Sequence, residues 1–287
     1  MSEFARPFTR PPHPLLIEPF VRAALQEDLG RAGDLTTDML IDGDRRLEAS
    51  IVTRAAGVLS GLVCAACAFR LLDQSMVIRC GALDGEALER DASIATVRGS
   101  ARAILSAERV SLNFLGHLSG IATATHALVE AVAGTAARVV CTRKTTPGLR
   151  MLEKYAVRCG GGFNHRFGLD DAVLIKDNHI AAAGSLRLAV ERIRAGLGHM
   201  TKLEVEVDTI AQLEEALSVG ADAILLDNMD LPELRQAVGL AQGRAVLEAS
   251  GGISVETARE VALTGVDYIS SGAITHSAPA LDVALDF

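Results

Sequence analysis

Lys and Arg stand at the ends of two apolar runs in this sequence, and carboxylates at the ends of the next two. VVCTRK closes on Arg143 and Lys144, AVLIK on Lys176, LEVEVD carries Glu204, Glu206 and Asp208, and AILLD closes on Asp227. Clustered cations bind carboxylates and phosphates, Arg through a planar fork that makes paired hydrogen bonds. Glu204, Glu206 and Asp208 alternate, so all three share one face of a strand. Packed outward against helices they would be costly, so the pattern turns them toward the interior, at least near its mouth. With Asp227 they offer oxygen ligands for a hard cation such as Mg²⁺. Pairing with neighbouring Lys or Arg is the alternative for these acids.

Two short runs offer backbone ligands instead. Ser250-Gly251-Gly252 and Ser271-Gly272-Ala273 each end a strand-like segment. Small residues let backbone N–H groups approach an anion, and a following helix N-terminus adds a favourable dipole. His165-Arg166 follows Gly160-Gly161-Gly162, a flexible approach to a cationic pair. Between Arg138 and Lys176 eight Lys or Arg face three acids, in a chain of formal charge −8. A basic island in an acidic protein suits focused binding of a small polyanion. Arg150, Lys154 and Arg158 recur every fourth residue on one predicted helix and read as a solvated face. Cys64 and Cys67 form a CxxC within an apolar helical segment, which reads as packing. His13, His117, His126 and His199 carry no signal of their own.

The elements that position these groups follow from periodicity. A helix is predicted from Pro14 to Asp28, stopped by Gly30, after a loose arm over residues 1–13. Short β-type runs at Ala49–Arg54, Met76–Cys80 and Ser93–Arg98, around a helix at Leu62–Leu72, predict a small antiparallel α/β domain. A long helix begins near Ala101. Beyond Ala136, strand-like runs close at Lys144, Lys176, Glu206, Asp227, Ser250 and Ser271, spaced 32, 30, 21, 23 and 21 residues apart. Each interval holds one helix, the pattern of a β/α barrel, whose reactive groups sit at the C-terminal strand ends. The expected fold class is α/β, an N-terminal open sandwich plus a barrel of six or seven parallel strands. The expected domains are residues 1–115, 116–275, and a C-terminal tail, 276–287, packing back on the first.

Composition excludes several functions. The acidic balance, absent Trp, and only 2 Tyr and 8 Phe argue against a nucleic-acid or anionic-membrane binder. Five Cys form no disulfide framework and fit a reducing compartment. The Pro-rich N-terminus lacks the apolar core of a signal peptide, and no apolar run is long enough to span a bilayer. The expected location is the cytoplasm.

Residues 142–180, TRKTTPGLRMLEKYAVRCGGGFNHRFGLDDAVLIKDNHI, closely resemble the signature stretch of the quinolinate phosphoribosyltransferase family. EDLGRAGDLTTD (27–38), AERVSLNFLGHLSGIAT (107–123), EVEVD, LLDN, EASGGI (248–253) and GAITHSAPALD (272–282) resemble it too, in order and over nearly the whole chain. The resemblance implies reaction of quinolinate with phosphoribosyl pyrophosphate and Mg²⁺, giving nicotinate mononucleotide, CO₂ and pyrophosphate, in a homodimer or larger assembly. It implies that Arg143, His165, Arg166 and Lys176 hold the two quinolinate carboxylates. Arg109 would enter from the partner subunit. Thr142 falls within the same substrate-binding stretch. Lys144, Glu206 and Asp227 would serve phosphoribosyl pyrophosphate and its Mg²⁺, with Lys144, Lys176, Glu206 and Asp227 as the catalytic set. Ser250, Gly251, Gly252, Ser271, Gly272 and Ala273 would take the 5′-phosphate. Cys141 stands where Asp is common in the family and Ser271 where Val is frequent; neither removes a charged ligand.

Three rivals remain. A barrel lyase using Lys176 as a Schiff base leaves the other cations unexplained. A relative associated with molybdate transport is expected to lack the intact NHR and KDNH pieces. A non-catalytic binding protein on the same scaffold would tolerate loss of Glu206 or Asp227, and both are present.

Overall fold

The computed structural model describes residues 10–287; the first part of the predicted arm, residues 1–9, lies outside the described residues. In chain order the elements begin α1 (Pro14–Leu29), α2 (Leu35–Leu40), β1 (Arg46–Thr53), β2 (Gly57–Val58), α3 (Leu62–Leu72), β3 (Val77–Cys80), β4 (Ala87–Leu88), β5 (Ser93–Ser100) and α4 (Ala101–Ala131). They continue with β6 (Arg138–Val140), α5 (Arg150–Cys159), β7 (Val173–Ile175), α6 (Asp177–Ala183), α7 (Leu186–Gly196), β8 (Leu203–Val207) and α8 (Ile210–Ser218). The last are β9 (Ala223–Asp227), α9 (Leu231–Ala241), β10 (Val246–Ser250), α10 (Val255–Ala262), β11 (Tyr268–Ser270), α11 (Ala273–His276) and β12 (Val283–Asp286). They fall into two compact units. One comprises the described residues up to His126 with Thr145–Gly161 and Ile274–Phe287; the other comprises Ala127–Lys144 and Gly162–Ala273.

The first unit is built on a four-stranded antiparallel sheet, ordered β12-β1-β5-β3. Helix α1 starts where His13 Nδ1 accepts the Leu15 N–H and Pro14 occupies the first turn, a position where a missing N–H costs nothing. Ile17, Val21 and Leu25 bury one stripe of it, and Gly30 takes positive φ at its end. The long helix α4 buries Ala101, Ile104, Ala107, Ser111, Leu115, Leu118 and Ala122, spaced at three or four residues as an amphipathic helix requires. Its glycines admit the C-terminal segment. Leu281 N–H donates to Gly116 O at 2.9 Å, and a Cβ on Gly120 would lie 2.1 Å from Pro279 O, so no larger residue fits there. Helix α5 belongs to this unit and corrects one expectation. Lys154 is 1% exposed and Glu153 0%, so this stretch is not a solvated face. Cys64 and Cys67 lie on α3 as free thiols, Cys64 fully buried, and burial pushes its thiol up to about 12.

The second unit holds six parallel strands in the order β6-β11-β10-β9-β8-β7, with Val140 also bridging in parallel to Phe163. Leu203, Val205 and Val207 of β8 are buried, and the period of two puts Glu204 and Glu206 on the opposite face. Asp208 falls beyond the strand and is exposed, so only two of the three alternating acids keep the interior orientation. Ser185, Thr209 and Asp230 cap α7, α8 and α9, each giving the first turn a side-chain oxygen, and Ser254 stands as N-cap of α10. Strand, short polar loop and capped helix recur, so the loops after β8, β9 and β10 emerge on one rim.

Candidate active site

A cavity of about 370 Å³ opens among the C-terminal ends of the second unit's strands. Thr142, Arg143, Lys144, His165, Arg166, Lys176, Glu206, Asp227 and Ser250 line it, together with Leu174, Leu225, Glu248 and Ser270. A larger cavity, about 1170 Å³, lies in the first unit. Apolar residues of α1 and α3 supply much of its wall, with Cys67, Cys80, Asp84 and Tyr155. It contains none of the residues expected to bind substrate or metal, and the chemistry lies in the smaller one.

Strand register explains the convergence. Asp227 pairs across from Ser250, while Glu206 and Glu248 both pair across from Leu225, so Asp227 and Ser250 share one level and Glu206 and Glu248 share the level two residues below. The turn after β9 is locked into the turn after β10. Asn228 takes positive φ, its N–H donates to Ser250 O at 2.9 Å, and its Nδ2 donates to Asp227 Oδ2 at 2.8 Å. Gly251 has φ +103°, and a Cβ there would fall 2.1 Å from Asn228 Oδ1. Glycine is therefore demanded both by the backbone and by the space.

Charge is paired within the cavity. Lys176 Nζ donates to Glu206 Oε2, so this cation is already paired with a carboxylate. Arg166 donates through its Nη1 to Ala172 O at 3.2 Å. Burial, with the neighbouring Arg143 charge, holds Arg166 below the ordinary guanidinium value, against the pull of Glu204 and Asp171. His165 has both ring nitrogens engaged: Nδ1 accepts the Arg166 N–H, and Nε2 meets Glu204 Oε2, each at 2.8 Å. A ring whose Nδ1 accepts carries its proton on Nε2, so Nε2–H donates to Glu204. Lys144 N–H donates to Thr142 Oγ1 at 3.0 Å.

The other expected residues are placed differently. Gly251, Gly252, Ser271, Gly272 and Ala273 do not line the cavity. Ser271 is buried, its N–H donating to Val140 O at 3.1 Å and its Oγ to Ile253 O at 3.4 Å. Arg109 lies on α4 in the first unit, its side chain 65% exposed and 3.8 Å from Glu108. Sequence reasoning missed Glu248 and Ser270. Glu248 alternates with Ser250 along one strand, and that parity was the signal available.

Residues 121–286 match the quinolinate phosphoribosyl transferase C-terminal domain, and residues 34–119 the N-terminal domain. The chain belongs to the quinolinate phosphoribosyltransferase family. A Bacillus subtilis (strain 168) relative, a probable nicotinate-nucleotide pyrophosphorylase [carboxylating], is 46% identical over 91% of this chain and 89% of its own. The nicotinate-nucleotide pyrophosphorylase [carboxylating] of Mycobacterium leprae is 44% identical over 93% and 95% respectively. The solved structure of the nicotinate-nucleotide pyrophosphorylase from Francisella tularensis superposes with a TM-score of 0.92, at 39% identity over 97% of this chain and 98% of that one. Family membership agrees with the sandwich-plus-barrel class expected from the sequence. No helix among the described residues is long and apolar enough to cross a membrane.

Proposed function

We infer that this chain is a nicotinate-nucleotide pyrophosphorylase of the carboxylating class, transferring the phosphoribosyl group of phosphoribosyl pyrophosphate to quinolinate with loss of CO₂ to give nicotinate mononucleotide. The observation that carries this reading is one cavity holding Arg143, Lys144, Arg166 and Lys176 beside Glu206 and Asp227, in a chain of this family. Quinolinate is a dianion and its co-substrate carries several negative charges, so a site for both needs an excess of cations. Arg143, Arg166 and Lys176 suit the two carboxylates, the Arg pair through forked hydrogen bonds. His165 shapes the same wall.

The ring nitrogen forms its bond to ribose C1′ as the C1′–oxygen bond breaks and its electron pair leaves with pyrophosphate. Positive charge grows on the ribose and negative charge on the leaving group. Asp227 and Glu206 oppose the first and Lys144 the second. The ribosylated ring is cationic at nitrogen. When the adjacent carboxylate leaves as CO₂, the electron pair stays on the ring carbon beside that charge and then takes up one proton. No protein nucleophile is required. Lys176 is engaged by Glu206, and the Schiff-base alternative would have to break that pair.

Glu206 and Asp227 also fit Mg²⁺. Two carboxylates in one polar cavity are the hard oxygen donors this ion prefers. Bound there with the co-substrate, Mg²⁺ would neutralise charge on the pyrophosphate. Ser250 at the rim, followed by two glycines and the N-terminus of α10, suits the 5′-phosphate. Arg109, exposed on α4, suits a partner's site in a homodimer or larger assembly. The free thiols and acidic charge fit a cytoplasmic enzyme that binds neither membrane nor nucleic acid.

The deciding assay is CO₂ release from quinolinate, with and without phosphoribosyl pyrophosphate. Release that depends on it is expected, and no release overturns the reading. Nicotinate has one carboxylate and would leave part of the cluster unpaired, at about 2–5 kcal/mol for a buried charge pair. It should turn over far more slowly, and comparable turnover would overturn the pocket assignment.

A further inference from the structure

Beneath the cationic wall, His165, Glu204 and Glu248 bring one ligand-capable atom each within 4.8 Å of one another. The grouping resembles a metal site, but the imidazole argues otherwise. A metal-bound His donates its remaining ring N–H to a neighbour. Here Nδ1 accepts from the Arg166 N–H, so the ring proton sits on Nε2, where a metal would have to bind. The cluster is a chain of hydrogen bonds, from Arg166 N–H to His165 and from His165 to Glu204.

Glu248 stands outside that chain. It is 5% exposed, it lines the cavity, and its Oε2 is 3.7 Å from His165 Nε2. Its Oε1 is buried without a hydrogen-bond partner among the described residues. The Ser270 hydroxyl nearby is likewise without a well-formed bond. A buried ionised carboxylate with one oxygen unpartnered is costly, and a neutral carboxyl in the same place is less so.

We propose that Glu248 is a specificity-determining residue of this site, acting as a neutral carboxyl whose O–H donates a hydrogen bond to a carboxylate of bound quinolinate. This rests on the reading of the cavity as the quinolinate pocket. His165, with both nitrogens already engaged, orients Arg166 and closes the wall, and Glu248 supplies a donor that no cation there replaces. The titration agrees with the geometry. Burial and then the Glu204 charge push Glu248 well above the ordinary carboxylate range, against the smaller pull of His165 and Ser270. A bound dianion pushes it further in the same direction. A metabolite with a single carboxylate at the other ring position gains nothing from this donor, so Glu248 favours the dicarboxylate.

Glu204 of β8 faces Glu248 in the same cluster, and the charged groups that line the cavity with it are Glu206 from β8, Asp227 from β9, His165 and Arg166 from the loop after Gly162, Arg143 and Lys144 after β6, and Lys176 after β7. Comparing wild type with Glu248→Gln cancels their titrations, because the amide keeps a donor and loses the proton. Quinolinate affinity of the whole protein would be measured by calorimetry from about pH 6 to about pH 9. Wild type should weaken on the order of tenfold over that range, and Glu248→Gln should hold a nearly constant affinity. Glu248→Leu should be weak throughout, by a similar factor, as expected for one lost hydrogen bond to a charged group. If Glu248→Leu fails to fold, wild type against Glu248→Gln still decides. A flat wild-type profile, or a Glu248→Gln profile that falls in parallel with wild type, overturns the proposal and leaves the family activity standing. A wild type that binds no quinolinate at any pH overturns the activity and this proposal together.

Discussion

Glu153 in the first unit and Glu248 in the second are both buried glutamates, and they meet burial in opposite ways. Glu153 is 0% exposed. It accepts from Thr146 N–H at 3.1 Å and is 2.8 Å from His117 Nε2. Burial pushes its carboxyl up, but those hydrogen bonds outweigh it and hold Glu153 below its ordinary value. Glu248 has only the weaker pull of His165 and Ser270, and burial and the Glu204 charge push it up. Asp84 is intermediate. It accepts from Gly61 N–H, Leu62 N–H and the Tyr155 hydroxyl, and burial still raises it. A carboxylate satisfied on every side serves the fold, whereas one left short of donors in a cavity wall is kept for a ligand.

The largest expected effect belongs to the chemistry. Lys144→Ala and Asp227→Ala should each lower turnover by about 10²–10³-fold, the scale of losing one group that stabilises developing charge, while quinolinate binding stays largely intact. Loss of quinolinate affinity in either variant, read by calorimetry, would contradict the division between the two substrates.

Stability tests the comparison directly. Glu153→Ala leaves Thr146 N–H without its acceptor and His117 without its partner, and should cost about 2–4 kcal/mol in urea unfolding. Glu248→Gln removes a group that was poorly satisfied and should change stability by less than about 1 kcal/mol. Equal losses would erase the distinction drawn between the two acids.

A smaller effect concerns assembly. Arg109→Ala and Lys176→Ala chains, each inactive alone, should recover activity when mixed. A shared site in a two-fold dimer leaves one intact site per heterodimer, so roughly a quarter of wild-type activity returns. No recovery after demonstrated subunit exchange would place Arg109 in its own chain's chemistry or in none.

The smallest effect is the slope of stability against pH. Glu153 is held low, so its contribution is present above the ordinary Glu value and is lost as pH falls through the folded one. Glu248 is raised, so its contribution is full below the ordinary value and is lost as pH climbs through the raised one. Wild type should therefore lose stability relative to Glu248→Gln from about pH 5 upward. Relative to Glu153→Gln it should lose stability toward acid. Parallel slopes for both variants would remove the electrostatic basis of the contrast.

The strand ends were legible because an apolar run that stops at a charged residue announces both the strand and the group it delivers. Lys144, Lys176, Glu206, Asp227 and Ser250 were all found that way, and all line the cavity. Glu248 lies one turn of the pleat earlier, inside an apolar run, and was read as part of its motif. Parity with Ser250 would have found it, and parity with Tyr268 would have directed attention to Ser270 rather than Ser271. His117 and Lys154 were illegible for another reason. Each sits on a helix where periodicity alone favours solvent, and only tertiary packing reveals that His117 meets Glu153 and that Lys154 is enclosed.

Strand β12 is the edge of the first unit's sheet, paired to β1 with Asp286 opposite Ser50. That pairing joins segments more than two hundred residues apart in the chain. During synthesis the N-terminal sheet therefore waits, with one flank of β1 open, until residues 283–286 have been made. Chain closure across so long a span is slow. Until then β1 presents an unpaired edge to other nascent chains, and the parallel-stranded unit, complete by Ala273, is free to mature first.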